Sequence, residues 1–309
     1  MRETRVQSRS ARRSTRAARL LAIAALAAPA IVLGGLGNPA LAAPEEVTIY
    51  SSMPATQPIS TPSMAFETWG INEYGSVIAL GGTERELGRV EIGFVSWACE
   101  DGYYYRTSTD RCVTTPASGF THPITANIYA ENGDGTLGSR LGTVTQNVFV
   151  PYRPSADTVN CLPQGNDARF YDAASGTCHW GLYFVVSFDF SSLNLTLPDR
   201  VIVTAAFNTS TAGYAPLGQP APGEEDGFDL LNMAIFGEGP SVGEFVDGIV
   251  IAWNTPADQL ADPEAWDDEA YQPKVALYSK ADAVDPEPIQ PTPPDMVDTG
   301  ARAFGSIHR

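Results

Sequence analysis

Three histidines, His122, His179 and His308, are all that the 309-residue chain offers to a Ser-His-Asp relay or a histidine-based metal centre. A relay needs an imidazole held between a carboxylate and a nucleophile. His122 enters a strand as Thr121-His122-Pro123, His179 follows Cys178, and His308 lies near the end, so each reads as a surface or loop-packing imidazole. Neither G-x-S-x-G nor H-E-x-x-H occurs, and no catalytic residue is assigned. Glycoside hydrolysis asks for less, since two carboxylates on opposite sides of a bond suffice. Glu91, on a strand with Trp97 farther along, is one candidate; Glu238 and Glu244, flanking Gly239-Pro240-Ser241-Val242-Gly243, are others. No E-x-D-x-E set forms around them. A secreted glycosidase using paired acids is therefore the alternative to a non-catalytic binding or structural protein.

Charge narrows the partners. The chain has 19 Lys+Arg against 36 Asp+Glu, a net charge of −17, and seven of its arginines fall in the first 19 positions. Without residues 1–42 the balance is 12 against 35, or −23. Such a surplus repels phosphate backbones and anionic lipid, so neither nucleic acid nor membrane is an expected partner of the processed chain. No cofactor is expected. Calcium is the one ion the surplus would suit, because it takes about six to eight oxygens. The spacing argues against it: Glu131-Asn132-Gly133-Asp134-Gly135 reads as a hairpin turn. The runs Glu224-Glu225-Asp226 and Asp267-Asp268-Glu269 read as solvated loops.

Arginines at positions 2, 5, 9, 12, 13, 16 and 19 precede an apolar run from Leu20 to Gly37 and the small residues Ala40 and Ala42. This is the pattern of a secretory signal peptide, residues 1–42, with cleavage after Ala42. Pro29 interrupts the apolar run, which argues against a retained anchor. In an exported chain the four cysteines, Cys99, Cys112, Cys161 and Cys178, are expected as two disulfides. Of the three pairings open to them, Cys99 with Cys112 and Cys161 with Cys178 is favoured, because each pair brackets a polar, turn-rich stretch. Each bridge would contribute about 3 kcal/mol in the chain-entropy model. There is no C-x-x-C for redox chemistry, and His179 beside Cys178 makes no tetrahedral zinc set. Tyr103, Tyr104 and Tyr105 fall inside the first loop, where three consecutive rings of a hairpin cannot all point inward. They are the candidate contacts to a cell-wall glycan or an extracellular protein.

The elements that must carry these loops are strands. Leu182, Phe184, Val186, Phe188 and Phe190 alternate with Tyr183, Val185, Ser187 and Asp189, a period of two that places large apolar groups on one face. The same alternation recurs at Val90–Phe94, Ile124–Ile128, Val144–Val150 and Val201–Phe207. Apolar runs at Val47–Tyr50, Val77–Leu80, Leu230–Phe236, Ile249–Trp253 and Val275–Tyr278 bring the total to about ten strands. The one modest helical candidate is Ala257–Tyr271. The fold expected is all-β: a single antiparallel two-sheet sandwich over residues 43–282, with jelly-roll topology as the leading choice and polar outer faces. Residues 283–309 are proline-rich at Asp285–Asp295 and are expected to be a disordered tail. Within it Met296-Val297-Asp298-Thr299-Gly300 loosely resembles a sortase sorting motif, which would make the protein cell-wall associated rather than free outside the cell. Met and Val replace the motif's Leu and Pro, and the apolar span that should follow is missing.

Several words, Ser96-Trp97-Ala98-Cys99, Pro123–Tyr129, Pro151-Tyr152-Arg153-Pro154-Ser155-Ala156-Asp157, Gly176-Thr177-Cys178, Leu197-Pro198-Asp199 and Asn208-Thr209, occur together. Residues 66–253 thereby resemble an uncharacterised family of exported bacterial β-sandwich proteins. The likeness implies the sandwich and its disulfides. It carries no established activity, so no catalytic or ligand residue transfers.

Overall fold

The computed structural model describes residues 46–102, 112–161, 169–208, 231–235, 239–253, 260–261 and 271–280. All lie in the second of the two units into which the chain divides, Ala43–Arg309. Residues 1–42, read from the sequence as a signal peptide, Tyr103–Tyr105, Glu238, His308 and the proline-rich residues 283–309 lie outside the described residues, as does the helical candidate except for Leu260, Ala261 and Tyr271.

In chain order the elements are β1 (Thr48–Ser51), β2 (Ser63–Met64), a helical turn α1 (Phe66–Trp69), β3 (Ile71–Ala79), β4 (Glu86–Ser96), β5 (Gly119–Asn132) and β6 (Thr136–Pro151). They continue with β7 (Phe170–Asp172), β8 (Thr177–His179), β9 (Leu182–Asp189), β10 (Leu195–Thr196), β11 (Arg200–Ala206), β12 (Leu231–Ala234), β13 (Glu244–Trp253) and β14 (Val275–Ser279). Each apolar run anticipated from the sequence contains a strand among the described residues, and the strand pairs are antiparallel. One sheet runs β1-β14-β4-β9 and the other β3-β11-β5-β6. Successive strands cross between the layers in the order of a jelly roll. To this the chain adds β13, which lengthens the second sheet beyond β3, and β12 and β10, which extend the pairing along β4.

Alternation explains why the layers close. Val90, Ile92 and Phe94 of β4 and Phe188 of β9 face Ile124, Ala126 and Ile128 of β5 and Val201, Val203 and Ala205 of β11, all without solvent contact. Burying each large aliphatic or phenyl group contributes about 1.5–3 kcal/mol relative to exposure. Gln146, a polar residue in the apolar stripe of β6, has a specific use at the seam. Its amide donates to the Ser187 carbonyl of β9 at 2.8 Å, so a side chain occupies a carbonyl on that strand's open edge. At the β5–β6 turn Gly135 adopts φ +88°, and its N–H reaches the Asn132 carbonyl at 2.8 Å. Asp134 and Glu131 accept from the same turn, as a hairpin requires.

Two expectations need correction. The outer faces are not uniformly polar: Val77, Ile202 and Val250 form a buried cluster outside the second sheet, and Val95, Tyr183 and Ala234 one outside the first. Segments elsewhere in the chain lie over them, Leu260 on the former and residues 53–61 on the latter. His122, read as a surface or loop-packing imidazole, is a core residue at 3% exposure, between Phe120 and Phe207. Its register with Ile124 on β5 turns it inward.

Burial lowers the His122 pKa, opposed by its hydrogen bond to the Asn208 backbone, so the folded chain favours neutral imidazole. The unfolded chain then takes up the proton first, and His122 contributes stability above the ordinary imidazole range that is lost as pH falls through it. Urea unfolding from pH 7.5 to 5 should show a decline of up to about 1.4 kcal/mol per pH unit from this group. His122→Leu should flatten that component, and an unchanged slope in the variant would contradict it.

Candidate functional site

The outward-facing residues of β4 are Arg89, Glu91, Gly93, Val95 and Trp97, the last just beyond the strand. Across this surface runs the segment Met53–Thr61, Met-Pro-Ala-Thr-Gln-Pro-Ile-Ser-Thr, whose prolines suit a strap that adds no ladder to the sheet. The Tyr183 N–H donates to the Ile59 carbonyl at 3.0 Å, tying the strap to the start of β9. Between strap and sheet lies a pocket of about 370 Å³ whose lining includes Met53, Pro54, Pro58, Tyr183, Gly239, Ser241 and Lys274. A second hollow of about 240 Å³ shares Met53, Pro54 and Tyr183 and continues to Glu91, Val185 and Tyr278.

Tyr183 is the floor common to both. Its ring leans over Gly93, where a Cβ would stand 2.9 Å from Cε2, 3.0 Å from the hydroxyl and 3.1 Å from Lys274 Cβ. The glycine is what lets an aromatic ring lie flat on the sheet. The Tyr183 hydroxyl donates to Met53 Sδ at 3.4 Å. A thioether is a weak acceptor. Burial, reinforced by the Glu91 charge, raises this phenol to about 12. Tyr183 therefore keeps a neutral hydroxyl, and it and Lys274 are 4% and 5% exposed.

Glu91 does border the groove, but with partners that occupy it. Arg89 Nη1 donates to Oε1 and the Tyr278 hydroxyl to Oε2 at 3.0 Å. The same guanidinium binds Glu46 at 2.8 Å and sits 3.8 Å from the Tyr278 ring centroid. Burial, then the Glu91 carboxylate, raises the Tyr278 pKa. Among the described residues lining the two hollows Glu91 is the one carboxylate. Glu244 opens β13 in the other sheet, so the structure does not bring it opposite Glu91, and Glu238 is outside the described residues.

The cysteines pair as favoured from the sequence: Cys99–Cys112 with Cα atoms 5.4 Å apart, and Cys161–Cys178 at 5.8 Å. What joins the bridges is Arg153, which has no solvent exposure. Its Nε donates to Cys112 Sγ at 3.3 Å, its Nη1 to the Trp180 carbonyl at 2.6 Å, and its backbone N–H to Ala98 at 2.9 Å. Downstream, Ala156 N–H reaches the Cys112 carbonyl, and the Asp157 carboxylate accepts from the backbone of Val159 and Asn160 just before Cys161. These bonds lower the Asp157 pKa, Asn160 first. The Pro151–Asp157 word is thus the clamp between the two bridges. Trp97 and Trp180 stack beside it, with centroids 6.2 Å apart and planes at 4°.

Histidine chemistry is not assembled among the described residues. His122 is buried in the core, and His179 Nε2 lies 2.7 Å from the Thr177 hydroxyl. Nor does any group of three or more His, Cys, Asp or Glu among them form a metal cluster. Sequence reasoning missed Tyr183, Lys274 and Arg153. An aromatic at the outward register of β9 was the available signal for the first; nothing local marks an arginine between Tyr152 and Pro154 as buried. It also missed Glu73 on the outer face of the second sheet, whose Oε1 accepts from Asn127 at 2.8 Å, Tyr129 at 2.9 Å and Thr204. No family model, no curated protein and no solved structure matches this chain.

Gly93→Ala tests the groove floor. The added methyl must displace Tyr183 or Lys274, and the expected cost is about 1–3 kcal/mol in urea unfolding. Wild-type stability would mean that Tyr183 does not lie on Gly93.

Proposed function

We propose that this chain works outside the cell as a non-catalytic jelly-roll binding protein, and that the groove beneath the Met53–Thr61 strap receives an extracellular glycan. The observation that carries this reading is the 370 Å³ pocket, which falls at the small end of the roughly 300–1,000 Å³ range of ligand sites. A pyranose has an apolar face and a rim of hydroxyls. Met53, Pro54 and Pro58 offer an apolar wall, and Tyr183, Ser241 and Lys274, which line the same pocket, are the polar residues a rim of hydroxyls would meet. The carboxylate surplus favours an uncharged glycan over an anionic one.

Export is supported by the leader-like residues 1–42 and by two formed disulfides, which persist in oxidising compartments. No helix among the described residues is long and apolar enough to cross a membrane. The resemblance of the Pro151–Asp157 word to exported β-sandwich proteins points the same way. Cell-wall attachment through residues 296–300 belongs to this proposal as a variant of where the protein ends up.

Expressed with its leader, the protein recovered outside the cytoplasmic membrane should begin at Ala43; an intact Met1 end would remove export from the proposal. On an array of neutral glycans, Tyr183→Phe and Lys274→Met should each weaken retention about 3–10-fold, the worth of one lost hydrogen bond. Equal retention by both variants would exclude the groove. Loss confined to the Tyr103→Ala, Tyr104→Ala, Tyr105→Ala triple variant would move the contact to the first disulfide loop. New reducing ends that vanish in Glu91→Gln would establish the glycosidase alternative instead.

A further inference from the structure

The two disulfides differ in what faces their sulfurs. Cys99 Sγ lies 4.0 Å from the Trp97 carbonyl oxygen and Cys178 Sγ 3.8 Å from that of Asn160, acceptors that disfavour a negative charge. Cys112 Sγ lies 3.8 Å from the Pro154 carbonyl, but it also receives the Arg153 Nε–H at 3.3 Å and has the Thr114 hydroxyl at 3.8 Å. A disulfide sulfur is a weak acceptor, whereas a thiolate is a strong one. The guanidinium is fully buried and always charged, so a thiolate beside it gains a charge-assisted hydrogen bond where water cannot screen it. Burial in apolar surroundings alone would raise the Cys112 thiol; a buried arginine in contact works in the opposite direction.

We propose that Cys99–Cys112 is a thiol–disulfide exchange site whose substrate is a small extracellular dithiol, with Arg153 as the residue that positions and stabilises the leaving sulfur. The entering thiolate attacks Cys99 Sγ. A mixed disulfide forms there as the Cys99–Cys112 bond breaks, and its electron pair leaves on Cys112 as the thiolate that Arg153 holds. The second thiolate of a dithiol then attacks its own sulfur in the mixed disulfide. Cys99 is released and takes up a proton. The reagent leaves as a cyclic disulfide, having lost two electrons that the chain has gained. Exchange is fastest when the departing thiol is the more acidic one, which selects Cys99 as the sulfur attacked. The reaction stands apart from the glycan groove and would survive its refutation.

Accessibility alone predicts the opposite order. Cys99 and Cys112 are exposed at 2% and 1%, while Cys178 of the second bridge is partly exposed. The order of reduction therefore separates the two accounts. The full-length protein, equilibrated with graded ratios of reduced to oxidised dithiothreitol and mass-tagged at free thiols, should open Cys99–Cys112 at a ratio at least tenfold more oxidising than Cys161–Cys178. Arg153→Gln should remove that difference. In Cys99→Ser, thiolate absorbance should place Cys112 at least about one pH unit below the ordinary ~8.5, whereas Cys178 in Cys161→Ser should titrate near or above it. Should Arg153→Gln fail to fold, the wild-type order and the Cys112 titration decide. Cys161–Cys178 opening first, or Cys112 ionising at or above the ordinary value, would overturn the proposal.

Discussion

A jelly roll has one dry interior, and every strand that faces it must spend alternate residues on apolar side chains. In this chain that constraint centres on β4, which pairs with β9 and β10 along one side and β14 and β12 along the other. Its inward residues Val90, Ile92 and Phe94 have no solvent exposure, so four neighbouring strands are held in register by one hydrophobic row. Polar groups admitted to that interior are few. His122 is one of them, and burial lowers its pKa, which makes the packing of the second sheet's end dependent on proton concentration.

Because the interior takes no chemistry, polar function is displaced to the outer faces and the loops. The outer row of the same strand supplies it: Arg89 and Glu91 tie together Glu46 and Tyr278, and Gly93 leaves room for Tyr183. Ion pairs this exposed contribute little to stability. Glu91 and Tyr278, which a hydrogen bond joins, line one hollow of the groove that the proline-containing strap walls.

The loop end of the sandwich obeys a second constraint, that a buried guanidinium must have its N–H groups satisfied. Arg153 meets it by donating to Cys112 and Trp180, which belong to the two disulfide-bridged regions. One side chain thereby bonds to both bridged regions. The cation that performs this mechanical role also lies against a sulfur.

The alternation of Val90–Phe94, Ile124–Ile128, Val186–Phe190 and Val201–Ala205 was enough to read the strands, their inward faces and the two-layer class, because side-chain direction along a strand is local geometry. The cysteine pairing was legible for a related reason: each pair closes a short, turn-rich stretch. The candidate site was not. Which outer-face residues are covered depends on where Met53–Thr61 and Leu260 come to rest, and a period-two pattern cannot distinguish a Tyr183 beneath a strap from one in water. Burial of Arg153 likewise arises from contacts between residues 98, 112, 153 and 180, far apart along the chain. Local sequence determined the strands because each residue's backbone and its neighbour's suffice to set the pattern. Tertiary structure alone decided the groove and the clamp, because both exist only where distant segments meet and exclude water.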